Sequence, residues 1–315
     1  MIKSLSDNQD HYLPTVEAIK EMFDCEETHI LNSANSCLIA IAEKLPEPII
    51  VADQGGWNGF IKSCELFGKE IQKIETNDGI INMEILKSRL KKNRAKSLYI
   101  TSLAGYTAPQ PLKEIQEICN KYGVLLIVDI SASVGNPEIK KYGDIQVAST
   151  GSPKIVNIEN GGFINNKTRK IELNKHLIKS LKADNITCAG IRNEIKKAPL
   201  IESKTMEMNT YLKEKLCETL SHDNIHKIIH PTSKGLNTII TAESKKKAKT
   251  LANHIRQEIN IEKNIITTGP NYNRIKKASI VIETKNLDIT SLKKENMKKL
   301  SELILESIEK LDNES

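Results

Sequence analysis

The sequence predicts an α/β protein: a three-layer, mostly parallel sheet with helices on both faces, followed by a small α+β C-terminal layer. Three observations predict it. Apolar runs such as Val124-Leu125-Leu126-Ile127-Val128 alternate with amphipathic segments through the first half of the chain. Those runs are apolar at nearly every position, as strands covered on both faces are. From about residue 236 the order changes to strand, helix, strand, strand, helix.

Taken in order, residues 1 to 12 read as a polar lead-in. A helix starts at Pro14, with Val16, Ile19, Met22 and Phe23 on one face. Thr28 to Leu31 is a short strand. It breaks at Asn32-Ser33-Ala34-Asn35-Ser36 and gives way to an apolar helix through Leu45. Pro48 to Ala52 is a buried strand, interrupted by Asp53-Gln54-Gly55-Gly56-Trp57-Asn58-Gly59 before a helix that runs to about Leu66. A strand over 69–74 and a helix over 81–92 follow. Ser97 to Thr101 is the next strand, and Ser102 to Pro109 is a loop rich in turn residues. The helix carrying Leu112, Ile115, Ile118 and Cys119 stops at Gly123, a residue suited to a left-handed cap.

Next come an apolar run ending on Asp129 and the short β-like run Ile145-Gln146-Val147-Ala148. The second leads to Ser149 and then to Lys154 in a small-residue loop, with Gly161-Gly162 opening another apolar run. From Lys167 to Leu220 the chain reads as helical and lysine-rich, with a break at DNITCAGIRNE. Strands are expected over 236–241, 264–268 and 278–284, and helices over 244–259 and 292–311.

Composition narrows the function classes. No run of about 18 apolar residues is present, so no membrane span is expected. The N-terminal residues lack an apolar core, so no signal peptide is expected and the location is cytoplasmic. Six scattered cysteines without a C-x-x-C pair fit free thiols in a reducing compartment. The formal net charge of +6 rests on lysine spread along helices, which reads first as solvated helix faces. His222, His226 and His230 are spaced four apart. Asn224 and Pro231 point to a frayed helix end there, so a surface cluster is expected and no metal site.

Two features carry chemistry. Open α/β sheets place their sites at the carboxyl ends of strands, and here an acid closes one buried strand while a lysine follows the next. Upstream, Ser33, Ala34, Asn35 and Ser36 form a polar turn at a helix start, where free backbone N–H groups and the helix dipole attract an anion.

This order resembles the core of the fold-type I pyridoxal-phosphate (PLP) enzymes, in particular the DegT/StrS-type and class V aminotransferases, from about Leu13 to Gly162. The resemblance implies PLP as cofactor. It implies that Asp129 pairs with the pyridine nitrogen and that Lys154 carries the Schiff base. The turn Asn32 to Leu38 resembles the phosphate-binding N-S-G-T-A-A-L turn, with Ala34 where that pattern has glycine. Ser149, five residues before Lys154, takes the place of a phosphate-holding serine. Trp57 takes that of the aromatic residue stacked on the ring. Where the family has Gln or His three residues after the Asp, this chain has Ala132, which leaves that contact to Ser131 or another residue.

The resemblance further implies a large PLP-binding domain over 1–220, with linking helices from about 167, and a small domain over 221–315. It implies a homodimer to which Asn185 contributes across the subunit boundary, and a small-molecule amino substrate met by Tyr106 and by Arg274. Aminotransferase-like chemistry is the expected activity. Two alternatives stay open: a tRNA-linked synthase of the selenocysteine synthase or Sep-tRNA:Cys-tRNA synthase type, whose lysine-rich surface would face tRNA or another anionic partner, and a non-catalytic binding protein of the same fold.

Overall fold

The structure, a computed structural model, describes residues 10–93, 95–167, 169–259, 264–270 and 275–313. Seven strands build the main sheet: β1 (Glu27–Leu31), β2 (Ile49–Ala52), β3 (Ile71–Ile74), β4 (Ser97–Thr101), β5 (Leu125–Asp129), β6 (Ile145–Ser149) and β7 (Gly162–Asn166). Their order across the sheet is β1-β7-β6-β5-β4-β2-β3. Strands β2 to β6 run parallel, whereas β7 is antiparallel to both β6 and β1. The carboxyl end of β1, the start of β7 and the carboxyl ends of the parallel strands therefore share one edge of the sheet.

The unbroken apolar runs are explained by the pleat. Successive side chains point to opposite faces. Along β5, Leu126 and Val128 enter one core while Leu125 and Ile127 enter the other. The first core is closed by helices α1 (Tyr12–Phe23), α4 (Met83–Asn93), α5 (Leu112–Tyr122) and α7 (Asn185–Glu194), through residues such as Phe23, Leu86, Ile115 and Ile191. The second is closed by α2 (Ala34–Lys44), α3 (Asn58–Glu65) and α6 (Lys175–Ser180), through Leu38, Ile41, Phe60 and Ile178.

A third core joins the later elements. The second half of α8 (Ala198–Leu220) packs with a three-stranded antiparallel sheet made of β8 (Thr238–Thr241), β9 (Ile266–Gly269) and β10 (Ser279–Ile282), in the order β8-β10-β9. Helices α9 (Lys245–Glu258) and α10 (Lys294–Asn313) complete this layer. The mixed α/β architecture and the separate C-terminal α+β layer are as the sequence predicts.

Two local expectations change. The segment DNITCAGIRNE is a helix rather than a break. Asp184 caps α7 by accepting the Thr187 N–H at 2.8 Å, which satisfies a donor that the helix start leaves without an internal partner. Nor do the three histidines form a surface cluster on one helix. His226 is buried beside the Thr241 carbonyl, 3.2 Å away, and His230 Nε2 lies 3.0 Å from the Asp78 carbonyl. Among the described residues no group of side chains is placed to hold a metal, and no helix is long and apolar enough to cross a membrane.

Candidate active site

At the carboxyl edge of the main sheet lies a cavity of about 400 Å³, within the roughly 300–1,000 Å³ typical of small-molecule sites. Asp129, Lys154, Ser33, Ala34, Asn35, Trp57, Tyr106, Ser131 and Ser149 all line it.

The floor comes from strand ends. Asp129 is the last residue of β5, and both its carboxylate oxygens are engaged: the Ser131 N–H donates to Oδ1 at 2.9 Å, and the Tyr99 hydroxyl donates to Oδ2 at 3.1 Å. Tyr99 is buried, with its ring stacked on Phe60 at 3.7 Å between centroids. Burial first, and the adjacent Asp129 charge second, hold its phenol well above the ordinary range, so it remains a donor. Ser131 also ties the floor to the neighbouring strand, since its Oγ accepts the Ser149 N–H at 2.8 Å.

One wall is the start of α2. Ser33 caps the helix, accepting the Ser36 N–H at 3.1 Å. The first-turn amides of Ala34 and Asn35 have no intrahelical acceptor and sit at the positive end of the helix dipole. Glycine 162 allows this wall to sit where it does: a Cβ there would meet the Ala148 carbonyl oxygen at 2.8 Å, and Ala34 N and Cα at 2.8 and 2.9 Å. Gly162 is thus required by close backbone approach, whereas Gly161 has φ +81°, a conformation that favours glycine.

The opposite wall is the loop between β6 and β7. Gly151, Ser152, Pro153 and Lys154 line the cavity, and the Gly151 N–H donates to Ser149 Oγ at 3.3 Å. Tyr106 sits at the tip of a hairpin whose two-residue ladder pairs Leu103–Ala104 with Ala108–Pro109. Its ring centroid lies 5.6 Å from Lys154 Nζ. Trp57, at the cap position of α3, also lines the cavity and donates its indole N–H to Asn35.

Some expected residues stand elsewhere. Ser36 is buried one step inside the helix, its hydroxyl 2.5 Å from Asn32 Oδ1 and 2.8 Å from Ser33 Oγ, so it backs the turn rather than facing the cavity. Asn185 is the first residue of α7. Its Oδ1 accepts the His11 N–H of the same chain at 3.3 Å, away from this chain's cavity. Arg274 lies outside the described residues. The sequence reading missed Tyr99 as a partner of Asp129, and Thr101, Glu159 and Asn160 as lining residues.

The residues fit a flat, phosphorylated aromatic aldehyde. A helix start and serine hydroxyls suit a phosphate, a carboxylate stands at the strand end, and a lysine amine borders the same space. Comparison with known proteins agrees. Residues 31–135 match the family model "Aminotransferase class I and II", and residues 199–305 match that of the "MJ1341 family C-terminal domain". No curated protein matches the chain.

Solved structures do match it. Serine palmitoyltransferase from Sphingomonas wittichii superposes with a TM-score of 0.74 at 14% identity, over 95% of this chain and 76% of that one. PseC of Helicobacter pylori, an aminotransferase involved in the biosynthesis of pseudoaminic acid, gives 0.71 at 17% identity, over 96% and 92%. Alanine–glyoxylate aminotransferase from Nostoc sp. gives 0.71 at 14%, over 95% and 89%. The fold is that of the fold-type I PLP-dependent transferases.

Proposed function

We propose that the chain is a PLP-dependent transferase of aminotransferase-like activity, acting on a small amino-group substrate. The observation that supports this most is the sharing of one cavity by Asp129, Lys154 and the start of α2. In this reading the amides of Ala34 and Asn35, with Ser33 and Ser149, hold the phosphate. Asp129 would meet the ring nitrogen, Trp57 would cover the ring, and the Lys154 amine would hold the aldehyde.

When bound, the cofactor supplies an electron-withdrawing ring and an aldehyde that takes up a substrate amine. The remaining work falls to the chain. Asp129 keeps a proton on the ring nitrogen, oriented by the Tyr99 hydroxyl and the Ser131 N–H. Lys154 Nζ would take the proton from the carbon bearing the substrate nitrogen and deliver it on the far side of that nitrogen, the shift that transamination needs. Tyr106 flanks that amine and borders the substrate. Fixed dipoles around the cavity are in place before charge develops, which is where most of such rate enhancement arises.

We further propose that the protein works as a cytoplasmic homodimer, with residues 1–220 as the PLP-binding unit and 221–315 as the smaller unit. The test is an absorbance titration with PLP, followed by borohydride reduction and peptide mapping. A yellow complex with label fixed at Lys154, lost in Lys154→Ala, supports the reading. Binding without label at Lys154, or no binding, overturns it.

A further inference from the structure

Lys213 is a lysine with almost no exposure, in the middle of α8 and absent from the cavity lining. Its Nζ donates to three backbone carbonyls: Thr107 at 2.9 Å, His230 at 3.0 Å and Ser233 at 2.9 Å. An ammonium has three N–H donors, so each is matched. Thr107 belongs to the hairpin that carries Tyr106 into the cavity, whereas His230 and Ser233 belong to the segment that leads into β8.

The same two segments are joined independently. The Leu236 and Asn237 N–H groups both donate to the Tyr106 carbonyl, at 2.7 and 3.1 Å. Gly235 packs so closely on the hairpin that a Cβ there would lie 2.4 Å from the Thr107 carbonyl oxygen. Tyr106 itself has φ +63°, a left-handed backbone that costs a non-glycine residue energy and persists only where its surroundings enforce it. Lys285, buried and paired with Glu283 at 2.6 Å, places its Nζ 5.3 Å from the Tyr106 ring.

We propose that Lys213 is a positioning residue for the candidate active site, fastening the Tyr106 hairpin to the C-terminal layer so that Tyr106 stands beside Lys154. The proposal rests on the PLP reading only for what Tyr106 does there; the fastening stands on the hydrogen bonds alone. Burial lowers the Lys213 pKa to about 8, so the charge is costly at this place and the three carbonyls offset that cost. Without the ammonium, the buried Thr107 carbonyl and the part-buried carbonyls of His230 and Ser233 lose their donor together.

The test uses the full chain, with Lys213→Met, which keeps the length and removes the donors, and Gly235→Ala, which crowds the Thr107 carbonyl. Hydrogen exchange is followed in peptides spanning 103–109 and 230–237, and the circular dichroism of the protein–PLP absorbance band is recorded. In Lys213→Met both peptides are expected to exchange about tenfold faster, with peptides of β5 to β7 unchanged. The dichroic band is expected to weaken even when PLP is saturating, a change that a purely structural loss would not produce.

Exchange that rises only in 230–237, or an unaltered band at saturating PLP, overturns the proposal. Should Lys213→Met fail to fold, Gly235→Ala must show the same paired loosening. In the wild type, 103–109 and 230–237 must open in one step with one denaturant dependence; separate openings also overturn it. A wild type that does not bind PLP counts against the functional reading and leaves the exchange result to decide the fastening.

Discussion

Trp57 and Asn35 are joined by a single hydrogen bond: the indole Nε1–H donates to Asn35 Oδ1 over 3.1 Å. The bond links the loop after β2 to the first turn of α2, two segments far apart in sequence that form one wall of the cavity. Trp57 is 40% exposed, so this contact adds to the packing that holds it.

Glycine 59 makes room for the arrangement. A Cβ at that position would fall 2.2 Å from Trp57 Nε1 and 2.8 Å from Asn35 Oδ1. Gly59→Ala is therefore expected to push the indole off Asn35 while leaving the core intact. As Trp57 is the only tryptophan, its fluorescence should shift to the red, and PLP affinity should fall about tenfold, equal to roughly 1.4 kcal/mol. Unchanged emission in Gly59→Ala would show that the bond does not hold the ring.

At Gly162 the neighbours are backbone atoms of β6 and α2, which cannot swing aside as a side chain does. Gly162→Ala must separate the start of α2 from the sheet. The expected cost is about 1–3 kcal/mol of stability, the usual range for overpacking, together with weakened phosphate binding at the Ala34–Asn35 turn. Urea unfolding and titration with inorganic phosphate read the two effects. A variant as stable as wild type would contradict the close approach.

Tyr99→Phe keeps the stack on Phe60 and deletes only the hydroxyl that bonds Asp129. Bonds to charged groups contribute about 1.5–3 kcal/mol, and the partial exposure of Asp129 places this one near the low end. The expected result is a folded protein whose PLP affinity drops about tenfold. Loss of folding instead would mean that the hydroxyl serves the core and not the site.

How much of this was legible in the sequence depends on whether the signal was local. The strand over 97–101 and the helix ending at Gly123 were readable because apolar spacing and a left-handed cap lie in neighbouring residues; Gly123 has φ +64°. Asp129, Ser149 and Lys154 were readable from linear order. Tyr99 was not, since inside a strand it looks like any core aromatic, and its link to Asp129 depends on the register that pairs Thr101 with Asp129. The helix over Asn185–Glu194 was missed because the Asp184 cap was overlooked in a polar stretch. Lys213 had a signal of its own: Glu202, Thr205, Asn209 and Lys213 form a polar stripe at spacings of three and four, all buried on one face of α8. A lysine-rich composition hid it among solvated lysines.

Glu202, at the head of that stripe, gives the last prediction. Its Oε2 accepts the Gly135 N–H at 2.7 Å, yet burial outweighs this bond and pushes the carboxyl from 4.5 up to about 7. A carboxyl raised in the folded state binds its proton more tightly there than in the unfolded chain. Its contribution to stability is thus fully present below pH 4.5 and is lost as pH rises through 7. A shift of this size corresponds to about 3 kcal/mol. Glu202→Gln, which stays neutral and can still accept the Gly135 N–H, removes the titration. Other carboxylates titrate in both proteins and cancel in the difference. Urea unfolding of the pair across this range should show the wild type losing about 2–3 kcal/mol relative to the variant as pH rises. A difference that stays flat with pH would mean that Glu202 titrates alike in the folded and unfolded chains, with the Gly135 and Asn136 amides offsetting its burial.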